Sequence, residues 1–159
     1  MNERVFHIEL PAAAAVTVHL SADPAAEAAA AIHEAIKAFN DRVSPYHLAI
    51  RRPDAITPLN LLVRDRQGRL LGGLIASTYW QWLDIDDLWL DERIRRQGVG
   101  RFLMARAEEE AAARGCRRAQ VKTFSFQALD FYRKLGFRVV GELRDYPPGA
   151  VLYWLRKDW

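Results

Sequence analysis

The alternation of apolar and polar positions divides the chain into short strand-like runs and longer helical ones. Residues 3–9 and 16–20 alternate with a period of two, which predicts strands. The segment ADPAAEAAAAIHEAIKAFNDRVSP follows, and in it Ile32, Ile36, Phe39 and Val43 recur at helical spacing. Asp23 is a suitable N-cap there, Pro24 suits the first helical position, and Ser44-Pro45 ends the run. The next dozen residues, to Pro58, have no clear period and predict loop with room for one short element, in a region where substrate loops could lie.

LNLLVRDRQGRLLGGLIASTYWQWL predicts a hairpin, with two apolar runs flanking Asp65-Arg66-Gln67-Gly68. Gly72-Gly73 inside the second run predicts a bulge or a close backbone approach. IDDLWL is a further strand. GVGRFLMARAEEEAAARG predicts a helix with Val99, Phe102, Leu103 and the Arg106 stem on one face, an i,i+4 pair at Glu110–Arg114, and Gly115 as its C-terminal cap. RRAQVKTF is a strand, and SFQALDFYRKLGF is a short helix opened by Ser125 and closed by Gly136. FRVVGELRD and AVLYWLRKD are two strands joined around Tyr146-Pro147-Pro148-Gly149. Strands before, between and after helices predict a mixed α/β domain over residues 1–159.

Composition narrows the function classes. Half of the 159 residues are apolar, enough for a real core, yet no apolar run approaches membrane-spanning length. MNERVFHIEL is charged and interrupted, unlike a secretion leader, and Cys116 is the single cysteine. Together these predict a reduced, cytoplasmic protein with no membrane partner. Cys116 reads as a small buried hydrophobe, because no partner base is evident beside it. The net charge of +3 is spread without a long basic block, so nucleic acid is not an expected partner. His7, His19, His33 and His47 have no metal-ligand spacing, and no metal site is expected.

The chemistry gathers in IRRQGVGRF, residues 94–102. A strand that runs into a glycine turn and feeds a helix makes an anion site, because the first helical N–H groups lack partners and the helix dipole adds positive potential. Arg95, Arg96 and Arg101 add charge, which points to a phosphate or pyrophosphate. The glycines would equally let a helix pack tightly on the sheet. No Gly-Lys-Ser/Thr follows, as a Walker loop requires, and Leu103 interrupts a dinucleotide fingerprint.

Arg95-Arg96-Gln97-Gly98-Val99-Gly100 resembles the [R/Q]-x-x-G-x-[G/A] motif of the GCN5-related N-acetyltransferases. LWLDERIRRQGVG is similar to the strand-then-turn segment of that family, and ALDFYRKLGF to its second signature about thirty residues later. Two motifs in order at this spacing are far more specific than either alone. The similarity covers roughly residues 16–157 and becomes diffuse before Leu59. Arg96 stands where the family often has Gly, and Ser125 where it often has Asn.

The resemblance implies a mixed central sheet flanked by helices, whose two central strands splay apart around acetyl-CoA. It implies that the backbone of Leu88, Trp89 and Leu90 pairs with the pantetheine arm, that the N–H groups from Arg95 through Arg101 hold the pyrophosphate, and that Phe131 and Tyr132 lie beside the thioester. Ser125 would make a shorter-reaching cofactor contact than Asn. An alkyl amine with a pKa of about 10.4 arrives as ammonium, so a base must deprotonate it, N–H groups must stabilise the oxyanion, and an acid serves the departing sulfur. Tyr132 is the expected acid. Asp86 leads Asp87 and Asp84 as the expected base, since consecutive strand residues face opposite sides.

Tyr79, Trp80, Trp82 and Trp89 read either as core or as a wall for the acceptor, and Tyr146-Pro147-Pro148-Gly149 as a rigid turn or part of the acceptor mouth. The expected activity is acetyl transfer to the primary amine of a small molecule or peptide. A non-catalytic acyl-CoA sensor of the same fold is the alternative, and a homodimer is compatible with the aromatic patch.

Overall fold

The computed structural model describes residues 4–11 and 13–159. They fall into two compact units, up to Leu48 and from Ala49 onward. In the first, β1 (Arg4–Leu10) and β2 (Ala13–Leu20) pair antiparallel as a two-stranded sheet, and α1 (Ala26–Val43) follows. α1 starts later than the sequence predicts. The Ser21 hydroxyl accepts the Asp23 N–H and holds a local turn, and Ala25, extended and without a side-chain cap, precedes the first helical residue. Ser44 ends α1 as expected, and Pro45 opens the short α2 (Pro45–Ala49) at the boundary.

The second unit is built on a six-stranded mixed sheet in the order β3-β4-β5-β6-β8-β7. These strands are β3 (Thr57–Arg64), β4 (Leu70–Tyr79), β5 (Trp82–Leu90), β6 (Arg118–Phe124), β7 (Arg138–Arg144) and β8 (Val151–Asp158), with α3 (Val99–Ala113) between β5 and β6 and α4 (Leu129–Lys134) after β6. The β3–β4 hairpin turns at Gly68 as predicted, with φ of 81°. The second predicted run contains another turn. Trp80 and Gln81 adopt positive φ, and Trp82 begins β5 rather than ending β4. No Gly, Asn, Asp or Pro marks that reversal. At Gly72 and Gly73 an added Cβ would collide with the carbonyl oxygens of Trp89 and Leu61, so both glycines answer to close backbone approach.

α3 lies on the sheet through Leu103, Met104, Ala107 and Ala111, over Leu74, Leu83 and Leu155, all buried. The two alanines let the helix axis come close. Phe102 does not belong to that face: it is 63% exposed, with the Arg106 guanidinium 5.7 Å from its ring centre. The expected Glu110–Arg114 pair forms at 2.8 Å, and Arg114 also donates to the Pro58 carbonyl, tying the end of α3 to β3. Cys116 is buried, as a small hydrophobe should be. Burial pushes its thiol pKa up, away from nucleophilic chemistry.

Candidate active site

β5 runs beside β6 in parallel only from Trp82↔Arg118 to Ile85↔Val121. Beyond Ile85 it keeps β4 as a neighbour on one edge while the other edge opens. The opening coincides with a bulge. Ile75 pairs with Asp87 and Ala76 with Ile85, which leaves Asp86 as an extra residue in β5. The insertion reverses the alternation of the strand. Leu83 and Ile85 face the core before it, Leu88 and Leu90 after it.

Two adjoining cavities occupy this wedge. One, of about 490 Å³, is lined by Asp86, Asp87, Leu88, Trp89 and Leu90 from β5, by Val121, Lys122 and Thr123 from β6, and by Phe126, Gln127, Ala128, Tyr132 and Arg95. The other, of about 510 Å³, is lined by Leu88, Leu90, Arg95, Arg96, Gly98, Gly100, Arg101, Ala128 and Phe131. The structure therefore brings Asp86, Tyr132 and most of the predicted cofactor residues around two cavities that share Leu88, Leu90, Arg95 and Ala128. Gln97, Val99 and Ser125 line neither cavity. Gln97 turns its amide onto the Arg93 carbonyl, 2.7 Å away, and Val99 packs on the core. Ser125 does not open α4. Its hydroxyl accepts the Val151 N–H at 3.1 Å, and Ala128 stands at the N-cap position, with no side-chain cap.

The turn into α3 is set by backbone conformation. Asp91 accepts from the Arg93 N–H and from its guanidinium, closing a short 3₁₀ turn over Glu92–Ile94. Those contacts hold the Asp91 carboxyl far below the usual carboxylate range. Arg96 and Gly98 then take left-handed φ of 58° and 85°. Gly98 is glycine for that conformation, since an added Cβ would meet nothing. Gly100 is glycine for space, since its Cβ would sit 3.3 Å from the Phe131 ring. Arg95 donates to the Leu90 carbonyl at 2.7 Å, fixing the end of β5 against the turn.

Tyr132 is 5% exposed and lies edge-on to Phe131 and Phe137. Its hydroxyl has no hydrogen-bond partner among the described residues. No sealed side-chain polar atom lacks a partner there, so this hydroxyl opens on the cavity it lines. Burial, with the Asp87 charge, pushes its pKa up to about 12. The Asp86 carboxyl is also raised, by desolvation in the wedge and then by the Asp84 and Asp87 charges, with Lys122 opposing. Asp84 is engaged elsewhere, accepting the Tyr79 hydroxyl at 2.6 Å. Asp87, which strand alternation places away from Asp86, lines the same cavity because the bulge intervenes.

Thr123, Phe126 and Gln127 belong to the site without a sequence signal strong enough to find them. Gln127 accepts the Phe124 N–H at 2.8 Å and Thr123 receives the Ala128 N–H at 3.4 Å, shaping the turn before α4. Of the four aromatics weighed as an acceptor wall, Trp89 alone lines the wedge. Trp82 lies beneath Arg118 and Arg156, and Trp80 meets Tyr79 edge-on.

The model of the acetyltransferase (GNAT) family matches residues 26–137. The chain belongs to that family. It is 39% identical over 129 residues to a blasticidin-S acetyltransferase of Streptomyces morookaense, covering 77% of this chain and 95% of that one. An acetyltransferase of Agrobacterium fabrum (strain C58) is 36% identical over 124 residues, covering 78% and 90%. The crystal structure of an acetyltransferase from Bacillus cereus ATCC 14579 superposes with a TM-score of 0.72 at 28% identity, covering 88% of this chain and 97% of that one. The GNAT chain described here is an acetyl-CoA-dependent N-acetyltransferase with the splayed mixed sheet of its family. Its wedge suits that donor: an open strand edge, a left-handed turn at a helix start, three arginines, and a buried tyrosine whose unpartnered hydroxyl opens on the cavity. No described helix is long and apolar enough to cross a membrane.

Proposed function

We propose that this N-acetyltransferase holds acetyl-CoA along the open edge of β5 and transfers the acetyl group to the primary amine of a small molecule. The backbone of Leu88, Trp89 and Leu90 pairs with the pantetheine arm. The N–H groups from Arg95 to Arg101, with the charges of Arg95, Arg96 and Arg101, hold the pyrophosphate, and Phe131 packs beside the arm. Bound acetyl-CoA supplies an activated thioester. Tyr132 keeps its proton throughout the working pH range and donates it as a hydrogen bond toward the sulfur. Asp86, its pKa raised by desolvation and by the neighbouring carboxylates, takes the proton from the incoming ammonium, and Asp87 adds negative potential for that cation. A backbone N–H near Leu90 faces the developing oxyanion.

The observation that carries this reading is Tyr132, a buried side chain whose hydroxyl has no protein partner and opens on the cavity it shares with Asp86, where the strands part. The small-molecule acceptor is supported by the relative named for blasticidin S. The reading takes residues 1–159 as one acetyltransferase domain acting in the cytoplasm. The test is free-thiol release from acetyl-CoA with a panel of amines that includes blasticidin S, a polyamine, an aminoglycoside and a lysine peptide. Release with a small amine and none with the peptide is expected. Release with the peptide alone would overturn the acceptor class.

A further inference from the structure

The wedge carries aromatic surface that acetyl transfer itself does not use. Phe126, in the turn between β6 and α4, is 67% exposed and lines the cavity beside Tyr132. Its ring stacks on Phe124 at 5.1 Å with only 4° between planes, and Phe124 stacks in turn on Tyr146 at 6.5 Å and 23°. Three near-parallel rings thus end in a Phe126 left largely uncovered. From β5, Trp89, 54% exposed, lines the same cavity. Asp86 and Asp87, on the same strand as Trp89, also line it, with Lys122 offsetting part of the Asp86 charge, while Arg95 is engaged by the Leu90 carbonyl and Glu92. Aliphatic side chains would dehydrate an alkyl amine equally well. An extended stack of rings is specific for another flat ring, and its faces favour a cation.

We infer that the acceptor subsite selects an amine attached to a flat, conjugated ring, seated on the uncovered Phe126 ring with its ammonium toward Asp86 and Asp87. The inference rests on the proposed transfer reaction, with the Leu88–Leu90 edge of this cavity left to the donor and its Asp86, Asp87 and Phe126 lining taken for the acceptor. Tyr132, placed in that proposal against the thioester sulfur, lines the same cavity, so the reacting end of the donor and this aromatic surface share one space.

Benzylamine and cyclohexylmethylamine share charge and size and differ in planarity, so they isolate the stacking. Each is titrated calorimetrically into the full chain saturated with CoA, and thiol release from acetyl-CoA is measured in parallel. The wild type is expected to bind benzylamine about three- to tenfold more tightly, and Phe126→Leu is expected to abolish that preference. Equal binding by the wild type, or a preference that survives Phe126→Leu, would overturn the inference and leave acetyl transfer untouched. Loss of acetyl-CoA binding by Phe126→Leu would also overturn it, since the ring would then serve the donor. A binding preference without thiol release from either amine would support the subsite and count against the transfer reading alone.

Discussion

At the residue scale, the proposed mechanism gives two side chains opposite tasks, Asp86 taking a proton from the amine and Tyr132 donating a hydrogen bond to the sulfur. Tyr132→Phe removes a donor but keeps the ring between Phe131 and Phe137, so kcat is expected to fall about 10²-fold with the acetyl-CoA Kd nearly unchanged. Steady-state kinetics beside calorimetry separates the two. For Asp86 the sign follows from its raised pKa. The fold disfavours the ionised form, a penalty absent below pH 3.8 and complete above the raised folded value. Asp86→Asn should therefore raise Tm at neutral pH, with the gain vanishing toward pH 3, while kcat/KM falls about 10²-fold. A variant less stable than wild type at pH 7 would contradict this. Tyr132 and Asp86 were legible because one lies in a family signature and the other on the strand feeding the turn. Asp87 and Phe126 were less so: the bulge that turns Asp87 into the cavity breaks the alternation that ranks it behind Asp86, and Phe126 sits in a loop with no period.

At the element scale, the turn into α3 is held by conformation as much as by charge. Arg96 adopts φ of 58°, a region costly to any residue with a Cβ. Arg96→Gly should stabilise the fold by about 1 kcal/mol in urea titrations and yet weaken acetyl-CoA binding by removing a cation from the cavity. Stronger binding would mean that the charge does not face the donor. Strands and helices with clear periods were readable, as were the glycines at 68, 115 and 136 that terminate elements at positive φ. The Trp80-Gln81 reversal was hidden because neither residue type favours turns. The Phe102 side of α3 was misassigned because Ala107 and Ala111, too small to mark a hydrophobic stripe, form half the true contact face.

At the scale of the whole molecule, the second unit depends on a close approach of α3 to the sheet. Ala107 is fully buried there, and Ala107→Leu should cost about 1–3 kcal/mol of unfolding free energy, read from the urea midpoint. The two family signatures were enough to anticipate a splayed mixed sheet. The strand order and the length of the parallel β5–β6 pairing were not legible, because nothing local in either strand records where its partner leaves it. That departure is the central feature of the account, since it opens the edge along which acetyl-CoA is proposed to lie. The most direct test is calorimetric titration of acetyl-CoA into the wild type and into Gly98→Glu, with circular dichroism confirming that both are folded. Saturable binding by the wild type, lost in the variant, is the predicted result. Binding of equal strength by a folded Gly98→Glu would place the donor away from the glycine turn and contradict the account.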